Sequence, residues 1–289
     1  MKTAVLMTCY NRVETTLRCL RGLYAQYMPC GMELDVYLVD DASPDKTGAR
    51  VREEYPNVNV IIGTGGLFWC KGMRLAWDMA VKSGVDYDYY LWLNDDVQLA
   101  NDALKGIYAD YEDIVKSGSK DGIVIGTFQM SSEDDMLTYG VFDSAFKIVR
   151  PNGKPRLIEG DSMSGNMVLV PKSIYKAVGE IYDGYHHGGG DNDYRQMVQK
   201  AGFGAYAPSR VTGICFKDPA RFAREPSIVK RFNSLFSPKG LPIHDIFLYR
   251  YRHWGVWAAL ASTAYISVRT VLGLTRSPFA NHQQPKPIA

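Results

Sequence analysis

Short apolar runs alternate with amphipathic stretches along the first 120 or so residues, and each run stops at polar or acidic side chains. Residues 3–8 form a run suited to a buried strand. Over 13–26 the spacing is helical, with Leu17, Leu20 and Tyr24 on one stripe. A second strand is predicted over 34–39, halted by Asp40-Asp41-Ala42-Ser43-Pro44-Asp45. A helix over 47–55, a strand over 58–62, a helix over 71–83 and a strand opening at Leu91 follow. Strands that alternate with helices through short polar turns predict an α/β fold, its sheet mainly parallel and flanked by helices.

The rhythm then changes. Strands are expected over 122–129 and 167–170, part of a hairpin over 142–150, and helices over 172–178 and 192–201, the last starting beside Asp191. Residues 1–217 read as one domain, divided at about residue 120 into a first half and a second half that would form the other side of a cleft. Proline and glycine breaks (Pro219, Pro226, Pro238, Gly240, Pro242) predict a linker over 218–248. The 249–276 segment is expected to be an amphipathic helix, and 277–289 a flexible tail.

That helix has no charge over 254–268, and Arg250, Arg252, His253, Arg269 and Arg276 flank the uncharged stretch. Ser262, Thr263, Ser267 and Arg269 interrupt its apolarity, which argues against a true span. Basic ends and tryptophans at one end suit a helix lying in a membrane interface. Docking on the catalytic domain, or on a twin subunit in a homo-oligomer, is the competing reading.

Composition narrows the field only a little. The 289 residues are 46% hydrophobic and 22% charged, with a net charge of +2, so nothing electrostatic points to nucleic acid. Five scattered cysteines (Cys9, Cys19, Cys30, Cys70, Cys215) without C-x-x-C spacing read as reduced thiols. The apolar run after Met1 is too short for an export signal, so a cytoplasmic location is expected.

Four segments carry candidate chemistry. Leu91-Trp92-Leu93-Asn94-Asp95-Asp96-Val97 reads as a buried strand running into carboxylates, at the sheet edge where open α/β folds bind ligands. Oxygen ligands there suit Mg²⁺ or Mn²⁺ beside a phosphate, although Asn and Asp also simply form turns. Thr8-Cys9-Tyr10-Asn11-Arg12 follows the first strand, and Asp40 and Asp41 follow the second, where a carboxylate can meet a base or ribose. The 63–80 segment, GTGGLFWCKGMRLAWDMA, offers glycines for close backbone approach, with Lys71 and Arg74 near a helix start. It has neither P-loop nor dinucleotide-fingerprint spacing. In the fourth segment, 185–195, glycines precede Asp191, which can cap a helix or act as a general base. Arg195, four residues on, is placed to pair with it. His186 and His187 are candidate metal or phosphate ligands that more often prove to be surface residues.

Together the four segments resemble the family 2 glycosyltransferases, which have the GT-A fold. The resemblance rests on M-T-C-Y-N-R, V-D-D-x-S over 39–43, the glycine-rich segment, Asn94-Asp95-Asp96 as the metal motif, a loose G-x-x-x-x-P over 165–171, and Gly190-Asp191-Asn192-Asp193. It spans roughly residues 1–215 in order. It implies a Rossmann-like sheet and a bacterial surface-glycan enzyme. It also implies that 1–217 is a catalytic domain, with about 1–120 the nucleotide-sugar-binding half and about 121–217 the acceptor-binding half. Thr8, Tyr10, Asp41, Gly65, Gly66, Lys71, Asn94 and Asp95 would contact a nucleotide-diphosphate sugar. Asp96 would be the principal ligand of Mg²⁺ or Mn²⁺, and Asp191 the catalytic base. Asn94 replaces the usual first acid, Gly190 the usual Glu, and a downstream His is missing near 211–216.

The implied reaction is an inverting hexosyl or deoxyhexosyl transfer to a saccharide, lipid-linked if the tail holds the enzyme on the inner face of the plasma membrane. Retention would need a second carboxylate, for which Asp161 and Asp193 are the nearest candidates. A catalytically silent scaffold or nucleotide-sugar-binding protein is the alternative. A sugar-phosphate nucleotidyltransferase is disfavoured, because Thr8-Cys9-Tyr10-Asn11 stands where it would carry a basic glycine loop.

Overall fold

The computed structural model describes residues 1–28, 31–160, 162–217, 227–238, 240 and 242–274. Cys30, Asp161, Pro219, Pro226, Arg276 and the 277–289 tail lie outside them. The chain divides into two units: residues 1–186 with 190–217, and residues 187–189 with 218 onward.

The first unit opens with β1 (Lys2–Cys9), α1 (Val13–Tyr24), β2 (Glu33–Asp40), α2 (Thr47–Glu54), β3 (Asn59–Ile62), α3 (Phe68–Lys82) and β4 (Tyr89–Leu93). It continues through β5 (Gln98–Leu99), α4 (Ala103–Lys116), β6 (Gly122–Ile125), β7 (Phe128–Gln129) and β8 (Leu137–Tyr139). It closes with β9 (Arg156–Leu157), β10 (Met167–Pro171), α5 (Lys172–Val178), α6 (Gly190–Lys200), β11 (Gly204–Ala207) and β12 (Gly213–Ile214). The larger sheet runs β3-β2-β1-β4-β10-β6-β11-β9, and a smaller one runs β5-β12-β7-β8.

Strands β3, β2, β1 and β4 are parallel, whereas β10 is antiparallel to both β4 and β6. The chain leaves β1 toward β2 and returns on its other side as β4. A crevice therefore opens between their carboxyl ends, where such sheets bind ligands. Because β10 runs backward, with Met167 opposite Leu93, it is its beginning that lies at this edge.

Strict alternation splits the core into two layers. Leu6, Val39, Tyr90, Trp92 and Val168 pack with Met73 and Trp77 of α3 and Tyr194 of α6. Val5, Leu38, Leu91, Leu93 and Leu169 pack with Leu17 and Leu20 of α1 and Ile107 of α4. Both faces of β4 are covered, which is why its sequence is a continuous apolar run.

Several expectations are corrected. Leu23, not Tyr24, completes the buried stripe of α1, while Tyr24 is exposed and stacks on Tyr55 at 5.3 Å. The 122–129 run is two strands in different sheets, because Gly126 leaves little room beside Thr212 and Met167 and the chain turns there. Helix α3 begins at Phe68, three residues before the expected start at Lys71, and α6 begins at Gly190, so Asp191 lies inside its first turn instead of before it.

In the second unit, part of the expected linker is helical. Helix α7 spans Ile228–Ser234, with the Ser227 hydroxyl accepting from Lys230 N, and α8 starts at Ile243. The tail is not one smooth amphipathic helix: α8 (Ile243–Val271) is broken at Gly255, whose φ of 85° no helix accommodates. Beyond the break, Trp257, Leu260, Tyr265 and Val268 are exposed. Among the described residues no helix is long and apolar enough to cross a membrane.

Candidate functional site

Four segments meet at the carboxyl edge of β1, β2 and β4, and backbone N–H donors hold the acids of two of them, Asp40 and Asp41 in one and Asp191 in the other. Asp40 accepts from Ser43 N at 3.0 Å and Gly48 N at 2.8 Å, so it caps α2. A side chain on Gly48 would lie 2.5 Å from Asp40 Oδ2. Asp45 reaches back to Val13 N at 3.0 Å and caps α1.

Asp41 builds the site instead of facing outward. Its carboxylate accepts from Gly65 N at 2.7 Å, Leu67 N at 2.8 Å and Phe68 N at 3.2 Å. It is 4% exposed and holds the glycine loop at the start of α3. Gly65, in the left-handed region at φ 84°, and Gly66 are exposed on that loop, open to a ligand. Thr8 packs against α3: a side chain on Gly72 would lie 2.3 Å from its hydroxyl. Tyr10 is 45% exposed.

Lys71 is displaced from its expected place. With α3 starting earlier than predicted, Lys71 joins the outer stripe Lys71-Arg74-Leu75-Asp78, not the sheet-facing one of Cys70, Met73 and Trp77. It lines an open pocket of about 350 Å³ with Arg74, Leu75, Asp78 and Asp183.

The three residues ending β4 diverge. Asn94 Oδ1 accepts from the Trp69 indole at 2.7 Å, and Asn94 N donates to Asn166 O at 2.8 Å across to β10. Asp95 is buried, accepting from Arg12 Nη1 at 3.1 Å and from the Thr16 hydroxyl at 3.1 Å. Burial pushes its carboxyl up to about 7 against the pull of Arg12, with Asp96 adding to the rise. Its side-chain contacts run toward α1, to Arg12 and Thr16. Asp96 keeps 39% of its side chain exposed, 3.2 Å from the same Arg12 nitrogen. Cys215 Sγ lies 3.8 Å from Asp96 Oδ1 and accepts from Asn166 Nδ2 at 3.5 Å.

Asp96 offers an accessible carboxylate oxygen, the donor type a hard divalent cation takes, while the Arg12 guanidinium against both acids would have to give way to such an ion. Arg12 was visible only as part of the Y-N-R element, and Cys215 only as one cysteine among five. It stands in the stretch where the family's histidine is missing.

Asp191 joins the group from α6. One oxygen accepts from its neighbour Asn192 N at 2.9 Å and the other from Gly165 N at 3.3 Å. Burial raises its carboxyl to about 6, against these two N–H groups. The expected Arg195 pairing gives way to these donors, and Arg195 reaches the carbonyls of Ser162 and Ile158 instead. Gly190 admits no glutamate, because a Cβ there would lie 2.7 Å from Cys70 Sγ. Asp193 is buried and accepts from the Tyr185 hydroxyl at 2.9 Å, which removes it as an open nucleophile.

Comparison with known proteins identifies the family and the fold. The family model described as "Glycosyl transferase family 2" matches residues 4–157. Hyaluronan synthase of Streptococcus pyogenes is 26% identical over 188 residues, which cover 61% of this chain and 40% of that protein. The chain thus spans about 40% of the length of the curated relatives it matches. Among solved structures, S. aureus TarS 1–349 in complex with UDP-GlcNAc superposes with a TM-score of 0.57 at 16% identity, covering 94% of this chain and 82% of that one. The mannosyltransferase PcManGT from Pyrobaculum calidifontis, in complex with GDP-Man and Mn²⁺, gives 0.53 at 16%, covering 95% and 75%. These likenesses establish a shared fold.

Proposed function

The chain belongs to glycosyl transferase family 2, and we propose that it transfers a sugar from a nucleotide-diphosphate sugar to a saccharide hydroxyl, with inversion at the anomeric carbon. One observation carries the reading. An accessible acid, Asp96, ends β4 at the crevice, and a second acid poised near neutrality, Asp191, is joined to the same edge through Gly165, Trp69 and Asn94. The nucleotide sugars held by the two structural neighbours support such a donor, and the Mn²⁺ of one supports a cation at this edge.

Asp96 would hold Mg²⁺ or Mn²⁺, with Asn94 beside it, and the ion would supply Lewis-acid stabilisation of the departing diphosphate. The chain's own residues do the rest. Exposed Gly65 and Gly66 let the donor approach the backbone, and Thr8 and Tyr10 border the nucleoside side of the crevice. Asp191, half ionised near pH 6, takes the proton from the incoming hydroxyl. One such carboxylate suffices for inversion, whereas retention needs a nucleophile as well.

The acceptor follows from the tail. Exposed Trp257, Leu260, Tyr265 and Val268, with Arg269 beside them, suit a helix resting on an anionic leaflet, where lipid-linked saccharides present their sugar ends. Assembly of a surface polysaccharide on the inner face of the membrane is the setting this favours.

Thermal melting with a panel of nucleoside diphosphates, with and without Mn²⁺, tests the donor site. A Mn²⁺-dependent rise for one nucleotide, lost in Asp96→Ala, is expected. No rise with any nucleotide would overturn the reading in favour of a silent scaffold.

A further inference from the structure

We infer that Trp69 is a positioning residue for the transfer, linking the orientation of Asn94 at the cation-binding edge to the Gly165 peptide that holds the Asp191 carboxyl. The inference rests on the roles proposed above for Asp96 and Asp191.

Three indoles stand in a row on this side of the sheet. Trp77 meets Trp92 at 5.9 Å and Trp92 meets Trp69 at 5.8 Å between ring centroids. Trp77 and Trp92 are fully buried, and their N–H groups have no acceptor among the described residues. They are core. Trp69 differs on both counts: it keeps part of its surface exposed, and its N–H is spent on Asn94 Oδ1 at 2.7 Å.

The chain is bent to put it there. Asp41 holds the N–H groups of Gly65, Leu67 and Phe68, and Phe68 takes a left-handed φ of 53°, a conformation a bulky residue adopts only under constraint. The next residue is Trp69. Its ring then lies flush against Gly165, where any Cβ would come within 2.6 Å of the indole and within 3.4 Å of Asp191 Cβ. Gly165 is also the residue whose N–H reaches Asp191 Oδ2 at 3.3 Å. The indole therefore backs the peptide that holds the base, and its other edge fixes the first residue of the metal motif. An Asn at position 94 serves this contact with its carbonyl oxygen.

The test needs no donor to begin. Carbon-13 NMR titration of the Asp191 carboxyl in the full chain, assigned with Asp191→Asn, should give about 6 in the wild type. Trp69→Phe keeps an aromatic ring on this wall, short of Gly165, and should lower that value less than alanine does. Trp69→Ala admits water and should lower it by about half a unit or more. Trp69→Leu, which keeps apolar volume, serves if the alanine variant does not fold, with a smaller fall expected.

In transfer assays with the nucleotide sugar selected by the binding panel, Trp69→Phe should lower kcat about three- to tenfold at unchanged KM. Adding Asn94→Ala to it should cost little more than either change alone. An unmoved Asp191 titration in the alanine or leucine variant, or additive kcat losses for Trp69→Phe and Asn94→Ala, would overturn the inference. Those results leave the proposed function standing; it falls separately if Asp96→Ala and Asp191→Asn keep their turnover.

Discussion

Arg12 Nη1 stands 3.1 Å from the buried carboxylate of Asp95, so the residue just ahead of α1 reaches across to the end of β4. The same nitrogen is 3.2 Å from Asp96. One cation therefore sets the charge balance of two adjacent acids, one structural and one open.

Arg12→Ala removes that balance from a buried acid. We expect a loss of about 2 kcal/mol, below the usual figure for a broken buried pair because Arg12 is itself 42% exposed. The loss should grow with pH. Asp95 titrates higher in the folded chain, at about 7, than in the unfolded one, so the native state binds the extra proton between about pH 4 and 7. Its contribution to stability is full below that window and is lost as pH rises through 7. Without Arg12 the folded value climbs further, and urea denaturation at pH 5 and pH 8 should show the larger deficit at pH 8.

Asp191→Asn should lower turnover by roughly 10² to 10⁴ while donor affinity changes little. In the wild type, kcat/KM should fall about tenfold per unit below pH 6, because the base acts ionised and its carboxyl titrates at about 6. A variant with near-normal turnover, or an acid limb well away from 6, would remove Asp191 from the role.

Asp41→Asn leaves one acceptor oxygen for three backbone donors. A stability loss of about 1.5–3 kcal/mol is expected by urea denaturation. Nucleotide binding should weaken with it, since the glycine loop is then unheld. Full stability with weak binding would instead mean that Asp41 touches the ligand directly.

The tail makes a prediction in the presence of lipid. The full chain should sediment with anionic vesicles at low salt, and less so with neutral vesicles or at high salt. Trp257→Ala, at a residue 81% exposed, should weaken that association without shifting the melting temperature. Equal recovery in the supernatant under all conditions would remove the membrane from the proposal.

Where the sequence was legible, the signals were local. The continuous apolar run of β4, the helical stripe of α1 with Leu17 and Leu20, and acids stacked just past strand ends depend on a few neighbouring residues and on turn chemistry. The α/β class and the edge that holds the site were readable for that reason. Asn94, Asp95 and Asp96 could all be placed at that edge, but not told apart. Which of three successive residues turns inward depends on what packs beneath them, and Thr16, Arg12 and Trp69 come from elsewhere in the chain.

The sequence by itself thus determined the alternation of strands and helices and the carboxyl edge where Asp40, Asp41 and Asn94 to Asp96 gather. Only the tertiary structure decided their work: Asp41 turned to the glycine loop, Asp95 to Arg12, and Asp96 to the open crevice. It also brought Gly165 and Asp191 to the same edge, because β10 runs antiparallel to β4 and starts where β4 ends. Strand register and direction are set by long-range pairing and burial, which residue spacing along the chain does not carry.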